Sequence, residues 1–128
     1  MNGLTFETAE GAFQAAKFKP KKALMQQFTS LGGDAAWRLA KKLDGQKRAD
    51  WMKANVDEML EVLRAKFKDP QLKQMLLATA SAYLVEHCPQ GRDAFWADNG
   101  DGTGQNKLGE SLMIVRGEYG GTGPVPKQ

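Results

Sequence analysis

Glu10, Gln14 and Lys17 stand at positions i, i+4 and i+7 of one short stretch. On a helix that spacing sets a carboxylate, an amide and an amine along one face. In line, the three can grip a polar substrate. The pattern alone favours a plainer reading, a solvated stripe with a weak Glu-to-Lys relay. A second cluster, Arg92-Asp93-Ala94-Phe95-Trp96, directly precedes a glycine-rich stretch. A carboxylate beside two aromatic rings suits the edge of a pocket: the rings stack on a base or sugar, and the acid faces a developing cation. The alternative is two core aromatics with a capping Asp93. Trp37 and Trp51 carry the same ambiguity.

Other chemistry is harder to place. His87 and Cys88 are the one histidine and the one cysteine, side by side. They fall short of the four spaced donors zinc usually takes. As neighbours on a strand they would point to opposite faces, which spoils a nucleophile pair. Gly100, Gly102 and Gly104 alternate with polar residues, but no apolar strand precedes them. They read as a flexible loop rather than a nucleotide fingerprint. The sequence calls for no cofactor and no metal.

These residues must be positioned by elements, and helix signals dominate. Thr8 is the expected N-cap of a helix that Pro20 stops. Met25–Leu31 reads as a short helix ending at Gly32-Gly33. Asp34 reads as the cap of the next, with Trp37, Ala40 and Leu43 along one side. From Asp50 to Lys68, apolar Met52, Val56, Met59, Leu60, Leu63 and Phe67 recur at three- and four-residue steps. Asp69-Pro70 opens a further helix carrying Leu72, Met75 and Leu76, which fades near Thr79. Tyr83–Val85 is the candidate short strand, Pro89–Gln105 a loop, and Asn106 the cap of a final helix with Leu108, Leu112 and Val115 inward. The expected fold is mainly α, one multihelical domain over 1–119, with 120–128 as a flexible tail.

Bulk properties narrow the class. A 128-residue chain with 41% hydrophobic and 26% charged residues has the composition of a folded domain, not a disordered one. No apolar run approaches the roughly 20 residues that span a bilayer. Met1–Glu10 has no basic start or apolar stretch, so no signal peptide is read there. With a lone cysteine the expected setting is cytoplasmic, away from membranes. The formal charge of +3 is mild, but no acid falls between Glu10 and Asp34, where Lys17, Lys19, Lys21 and Lys22 gather. Such a patch can attract phosphate or nucleic acid; equally, it can be a solvated helix end. The oligomeric state is left open.

Several ordered segments together resemble one family. Gly3–Glu10 followed by Phe13-Gln14-Ala15-Ala16-Lys17-Phe18 is similar to its opening, a Glu starting a helix that runs into F-Q-x-x-K-F. Trp51, Met59, Leu63 and Lys66-Phe67 resemble its W…M…L…KF helix. Leu76–Thr79 and Leu84–His87 resemble its LLAT…LVEH run, and Asp93–Trp96 its D-x-x-W. Gly102–Gly109, then Leu112-Met113 and Arg116, resemble its G-x-G-x-N-x-L-G…LM…R ending. The family is the YbiA-like, or NADAR, family, and the likeness runs from about Gly3 to Arg116. It implies an N-glycosidase cutting a ribose C1–N bond, either in ADP-ribosylated guanine or in a ribosylamino intermediate of the riboflavin pathway. The partner would be a small ribosyl substrate or one carried on nucleic acid. The family's functional carboxylates and aromatics map to Glu10, Asp93, Trp51 and Trp96, and its helix lysine to Lys17. The sequence departs from the family at Gly11, where His is usual, at Ala97, where Gly is usual, and in an F-S-N-F segment expected before this point and not found.

The resemblance sets up a mechanism. Cleavage of a ribosyl C–N bond passes through an oxocarbenium-like state that a fixed carboxylate stabilises. Glu10 and Asp93 are expected to share the work of cation stabilisation, water activation and assistance to the leaving base. Lys17 is a candidate for a Schiff base with the opened ribose, its pKa depressed by Lys19, Lys21 and Lys22. Trp51 and Trp96 would flank base or sugar, with Gln14 gripping the substrate. Gly104 and Asn106, at a loop and a helix start, would hold phosphate. The rivals are a non-catalytic ADP-ribose or nucleotide-binding module and a basic helical adaptor for nucleic acid.

Overall fold

The computed structural model describes residues 1–127. Among them are six α-helices and no strand: α1 (Ala9–Ala16), α2 (Lys22–Gln26), α3 (Gly33–Lys42), α4 (Trp51–Lys66), α5 (Pro70–Leu77) and α6 (Lys107–Glu118). The chain divides into two units, one ending at Glu58 and one beginning at Met59.

In the first unit, Thr8 begins α1 as expected. Its Oγ1 accepts from the Gly11 N–H at 2.9 Å and donates to the Leu31 carbonyl at 2.7 Å. The same stretch supplies the Glu7 N–H to the Thr29 carbonyl at 2.9 Å. Gly11 is a glycine for a reason: a Cβ there would stand 2.8 Å from the Phe28 carbonyl and 2.9 Å from that of Leu31. These contacts correct the expected Met25–Leu31 helix. α2 ends at Gln26, and residues 27–31 coil on in i→i−3 turns. The Thr29 and Leu31 carbonyls are tied to the start of α1.

The core of this unit is Ala15, Phe18, Met25, Phe28, Ala36 and Ala40, with the Phe18 and Phe28 rings stacked at 5.5 Å. α3 starts two residues before its expected opening, with Gly32 rather than Asp34 as N-cap and Asp34 in the first turn, where a carboxylate suits the helix dipole. It buries Ala36 and Ala40 and turns Trp37 outward, 52% exposed and beneath the Lys41 ammonium. Trp37 therefore does not share a buried side with Ala40, although the pattern sets the two along one side. The pattern also misplaces Met52, which is exposed on α4.

In the second unit, Asp69 caps α5 through the N–H groups of Gln71 and Leu72, and Pro70 fills the first turn. Leu63, Phe67, Leu76 and Val115 form the core, while Met75 faces solvent. Tyr83–Val85 is extended but is not a strand. Its polar groups are met by one side chain instead of a neighbouring strand. Asn106 Oδ1 accepts from the Glu86 N–H at 2.8 Å, and Nδ2 donates to the Leu84 carbonyl at 2.8 Å and to the Tyr83 hydroxyl at 3.1 Å. Gly109 lets this segment lie on α6, since a Cβ there would collide with the Leu84 carbonyl. Beyond α6, the wholly buried Arg116 donates to the carbonyls of Ala82, Thr122 and Gly123 and to the Thr79 hydroxyl.

Candidate functional site

α1 carries the first group of candidates. Lys17 is its C-cap residue, and the Arg48 N–H donates to the Lys17 carbonyl at 2.7 Å. Trp51, the first residue of α4, is buried; its ring lies 5.3 Å from that of Phe13 and 5.9 Å from Lys17 Nζ. The Lys17 amine is half-buried, and desolvation holds its pKa below the usual lysine value. The charge of Lys47 pushes the same way and that of Asp44 opposes it. The sequence points to Lys19, Lys21 and Lys22 as the source of that repulsion. The structure gives the role to burial and Lys47. Lys19 is held by both oxygens of Glu58, at 2.9 and 2.7 Å, and Lys21 donates to the Gln46 carbonyl.

Gln14, one turn before Lys17, is half-buried, and its Oε1 is shut off from solvent with no hydrogen-bond partner among the described residues. Such an acceptor costs stability unless something donates to it. Glu10, at the solvent-facing start of α1, packs beside Gly33 and joins no ion pair among the described residues. The structure thus puts an amine with a lowered pKa, an aromatic ring, an unmet acceptor and a carboxylate on or against one short helix.

The second unit holds the other candidates. Asp93 Oδ1 accepts from the N–H groups of Phe95 at 3.0 Å and Trp96 at 2.8 Å, so the carboxylate shapes the turn that presents both rings. Those rings meet edge to face at 4.9 Å. The carbonyls of Phe95, Trp96 and Ala97 accept from the N–H groups of Lys107, Leu108 and Asn106. The start of α6 is thereby occupied by chain carbonyls. The amides of Gly100, Gly102, Thr103 and Gly104 are likewise spent on Asp98 and Asp101. These groups fix the loop and leave none of those amides spare for phosphate. Gly104 and Asn106 do line a cleft of about 700 Å³ with Tyr83, Asp98, Val125 and Lys127.

Two clusters escaped sequence reasoning. His87 Nδ1 lies 2.7 Å from Asp98 Oδ2, and Asp98 Oδ1 takes the N–H groups of Cys88 and Gly100. The His87 hydrogen bond, then that of Gly100, holds the Asp98 pKa at about 2. Glu58, 9% exposed, accepts from Arg48 as well as Lys19, and Arg48 also grips Asp50. Partners 11 and 39 residues apart leave no periodic signal in the chain.

The NADAR domain family model matches residues 1–119. The N-glycosidase YbiA of Escherichia coli is 38% identical over 117 residues, covering 91% of this chain and 72% of its own length. A riboflavin biosynthesis protein of Vibrio vulnificus is 35% identical over 119 residues, 92% of this chain; this chain spans 32% of that protein. The NMR structure of E. coli YbiA superposes with a TM-score of 0.77 at 37% identity, covering 92% of this chain and 70% of that one.

Proposed function

This chain belongs to the NADAR domain family, and from that premise we propose that it is an N-glycosidase cleaving a ribose C1–N bond, with Lys17 as the reacting group. The observation that carries the reading is the Lys17 amine: half-buried, with a depressed pKa, beside the Trp51 ring and on the same helix as the unmet Gln14 acceptor. A lysine adds to carbon only when neutral, and desolvation supplies that form nearer to neutral pH. The substrate class is a ribosyl or ADP-ribosyl group on nitrogen: guanine in a nucleic acid, or a ribosylamino intermediate of riboflavin biosynthesis, the pathway named for the Vibrio relative.

The chemistry balances with water as the only co-reactant. When the ribose ring opens, C1 becomes an imine carbon bound to the departing nitrogen. The neutral Lys17 amine adds to C1, its proton passes to that nitrogen, and the C1–N bond breaks with its electron pair on the leaving base. Water then adds to the lysine C1=N bond. The sugar leaves as an aldehyde that recloses, and the amine is restored. Glu10 stabilises positive charge at C1 and relays the proton, help typically worth about 10²- to 10⁴-fold.

The test measures base release from an ADP-ribosylated guanine oligonucleotide and from a ribosylamino riboflavin precursor, with borohydride trapping. Cleavage of either substrate, with a trapped adduct that Lys17→Ala abolishes, is expected. Glu10→Ala should slow turnover, and Asp93→Ala tests separately whether the carboxylate of the second unit contributes. Absence of cleavage by the folded wild type would overturn the reading.

A further inference from the structure

α3 turns Trp37, Arg38, Lys41 and Lys42 away from the core. The four stand at i, i+1, i+4 and i+5, which on a helix share one face, and all four are exposed. The opposite side carries Ala36 and Ala40, buried in the core of the first unit, with Leu39 and Leu43 packed against it. Arg38, Lys41 and Lys42 join no ion pair among the described residues. The Trp37 ring is 52% exposed, with the Lys41 ammonium 5.0 Å from its centre. The helix dipole accounts for cations in a last turn, but not for a large aromatic ring left in water among them.

The charge of the unit agrees with a use for this face. Residues 1–58 hold ten lysines and arginines against seven acids, and residues 59–128 hold eight against eight. The formal charge of +3 therefore resides in the first unit. Within it, the lysines that gather in the sequence are largely spent: Lys19 on Glu58, Lys21 on the Gln46 carbonyl, Lys17 by burial. α3 offers three unpaired cations beside a ring instead.

We propose that the Trp37, Arg38, Lys41 and Lys42 face of α3 is a docking surface for single-stranded nucleic acid. A base stacks on the Trp37 ring, and the three cations meet the phosphates on either side of it. Stacking on an aromatic ring tolerates any base, and cations that follow the backbone supply the remaining affinity. A solvent-exposed contact of an ammonium with a ring is weaker than a stacked base. The base thus displaces Lys41 from the ring and leaves the ammonium near the adjoining phosphate. A duplex, whose bases are already stacked on one another, gains only the charge contacts. This surface is independent of the N-glycosidase reading, since it needs no ribosyl group and no cleavage.

The experiment follows the fluorescence anisotropy of a labelled short oligothymidylate, alone and paired with oligoadenylate. It compares wild type, Trp37→Ala and the triple variant Arg38→Gln, Lys41→Gln, Lys42→Gln. Wild type is expected to bind the single strand more tightly than the duplex at low salt. Trp37→Ala loses about tenfold in affinity for the single strand and keeps the salt dependence. The triple variant flattens the plot of log affinity against log salt by a slope of about 2, the share of three phosphate contacts. Melting temperatures close to that of wild type are expected throughout, because the four side chains are exposed; Trp37→Leu, apolar but without a stacking ring, carries the same test should Trp37→Ala unfold. Wild type that binds no single strand at low salt, or that prefers the duplex, would overturn the proposal. So would undiminished binding by Trp37→Ala, or light scattering that shows a dimer which Trp37→Ala dissociates, since the face would then serve a second copy of this chain.

Discussion

The ammonium nitrogen of Lys17 lies 5.9 Å from the centre of the Trp51 ring. An amine over a ring face is attracted to it when protonated, yet burial here works the other way and lowers the pKa. Desolvation is the largest of the influences that lower it, and the charge of Lys47 adds to it.

The first prediction concerns pH. If neutral Lys17 is the nucleophile, the rate rises with pH along a limb whose midpoint lies below 10.5. Lys47→Ala removes a repelling charge and moves that midpoint up; Asp44→Asn removes an attracting one and moves it down. Stability follows the same sign. The half-buried ammonium destabilises the folded chain in full below the folded pKa; that penalty fades as pH rises from the folded pKa and is gone above 10.5. Rate profiles for the three proteins check this, and a midpoint unmoved by both changes would remove Lys17 from the chemistry.

Glu58 is held by Lys19 and Arg48 where little water reaches. Glu58→Gln should cost about 1–3 kcal/mol, because two cations lose a charged acceptor while staying in place. Lys19→Met, whose ammonium is more exposed, should cost less. Denaturant unfolding of both variants measures the difference; equal losses would show that the carboxylate carries no special share.

Asn106 takes a left-handed backbone, with φ of 52°, while its side chain satisfies Leu84 and Glu86. Asn106→Ala should lose about 2–4 kcal/mol through unmet backbone groups and strain. Asn106→Gly should recover about 1 kcal/mol of that, since glycine accepts the backbone but restores no hydrogen bond. Calorimetry that ranks Ala at or above Gly would refute the backbone part of this account.

Acid should open the loop around Asp98. The carboxylate titrates at about 2 in the folded chain against 3.8 ordinarily. Its contribution is therefore complete above 3.8 and is lost as pH falls through about 2. Asp98→Asn should abolish that dependence and speed hydrogen exchange at the Cys88 and Gly100 amides, which the carboxylate accepts from. Exchange rates followed by NMR across this window decide it.

The helical class, the cap at Thr8, the Asp69-Pro70 start of α5, and the row Glu10, Gln14 and Lys17 along α1 and its C-cap are legible in the chain. Each depends on residues within a turn or two of one another, where backbone hydrogen bonding and the 3.6-residue period act directly. Tyr83–Val85 is a candidate strand in a run too brief to tell from a loop, and nothing local reveals that Asn106 stands in for a neighbouring strand. It takes the folded chain to turn Trp37 out and bury Trp51, to close Glu58 on Lys19 and His87 on Asp98, and to strip enough water from Lys17 to lower its pKa. Desolvation and partner choice are properties of what the folded chain brings near. Residues far apart along the chain fix them, and no local pattern encodes that proximity.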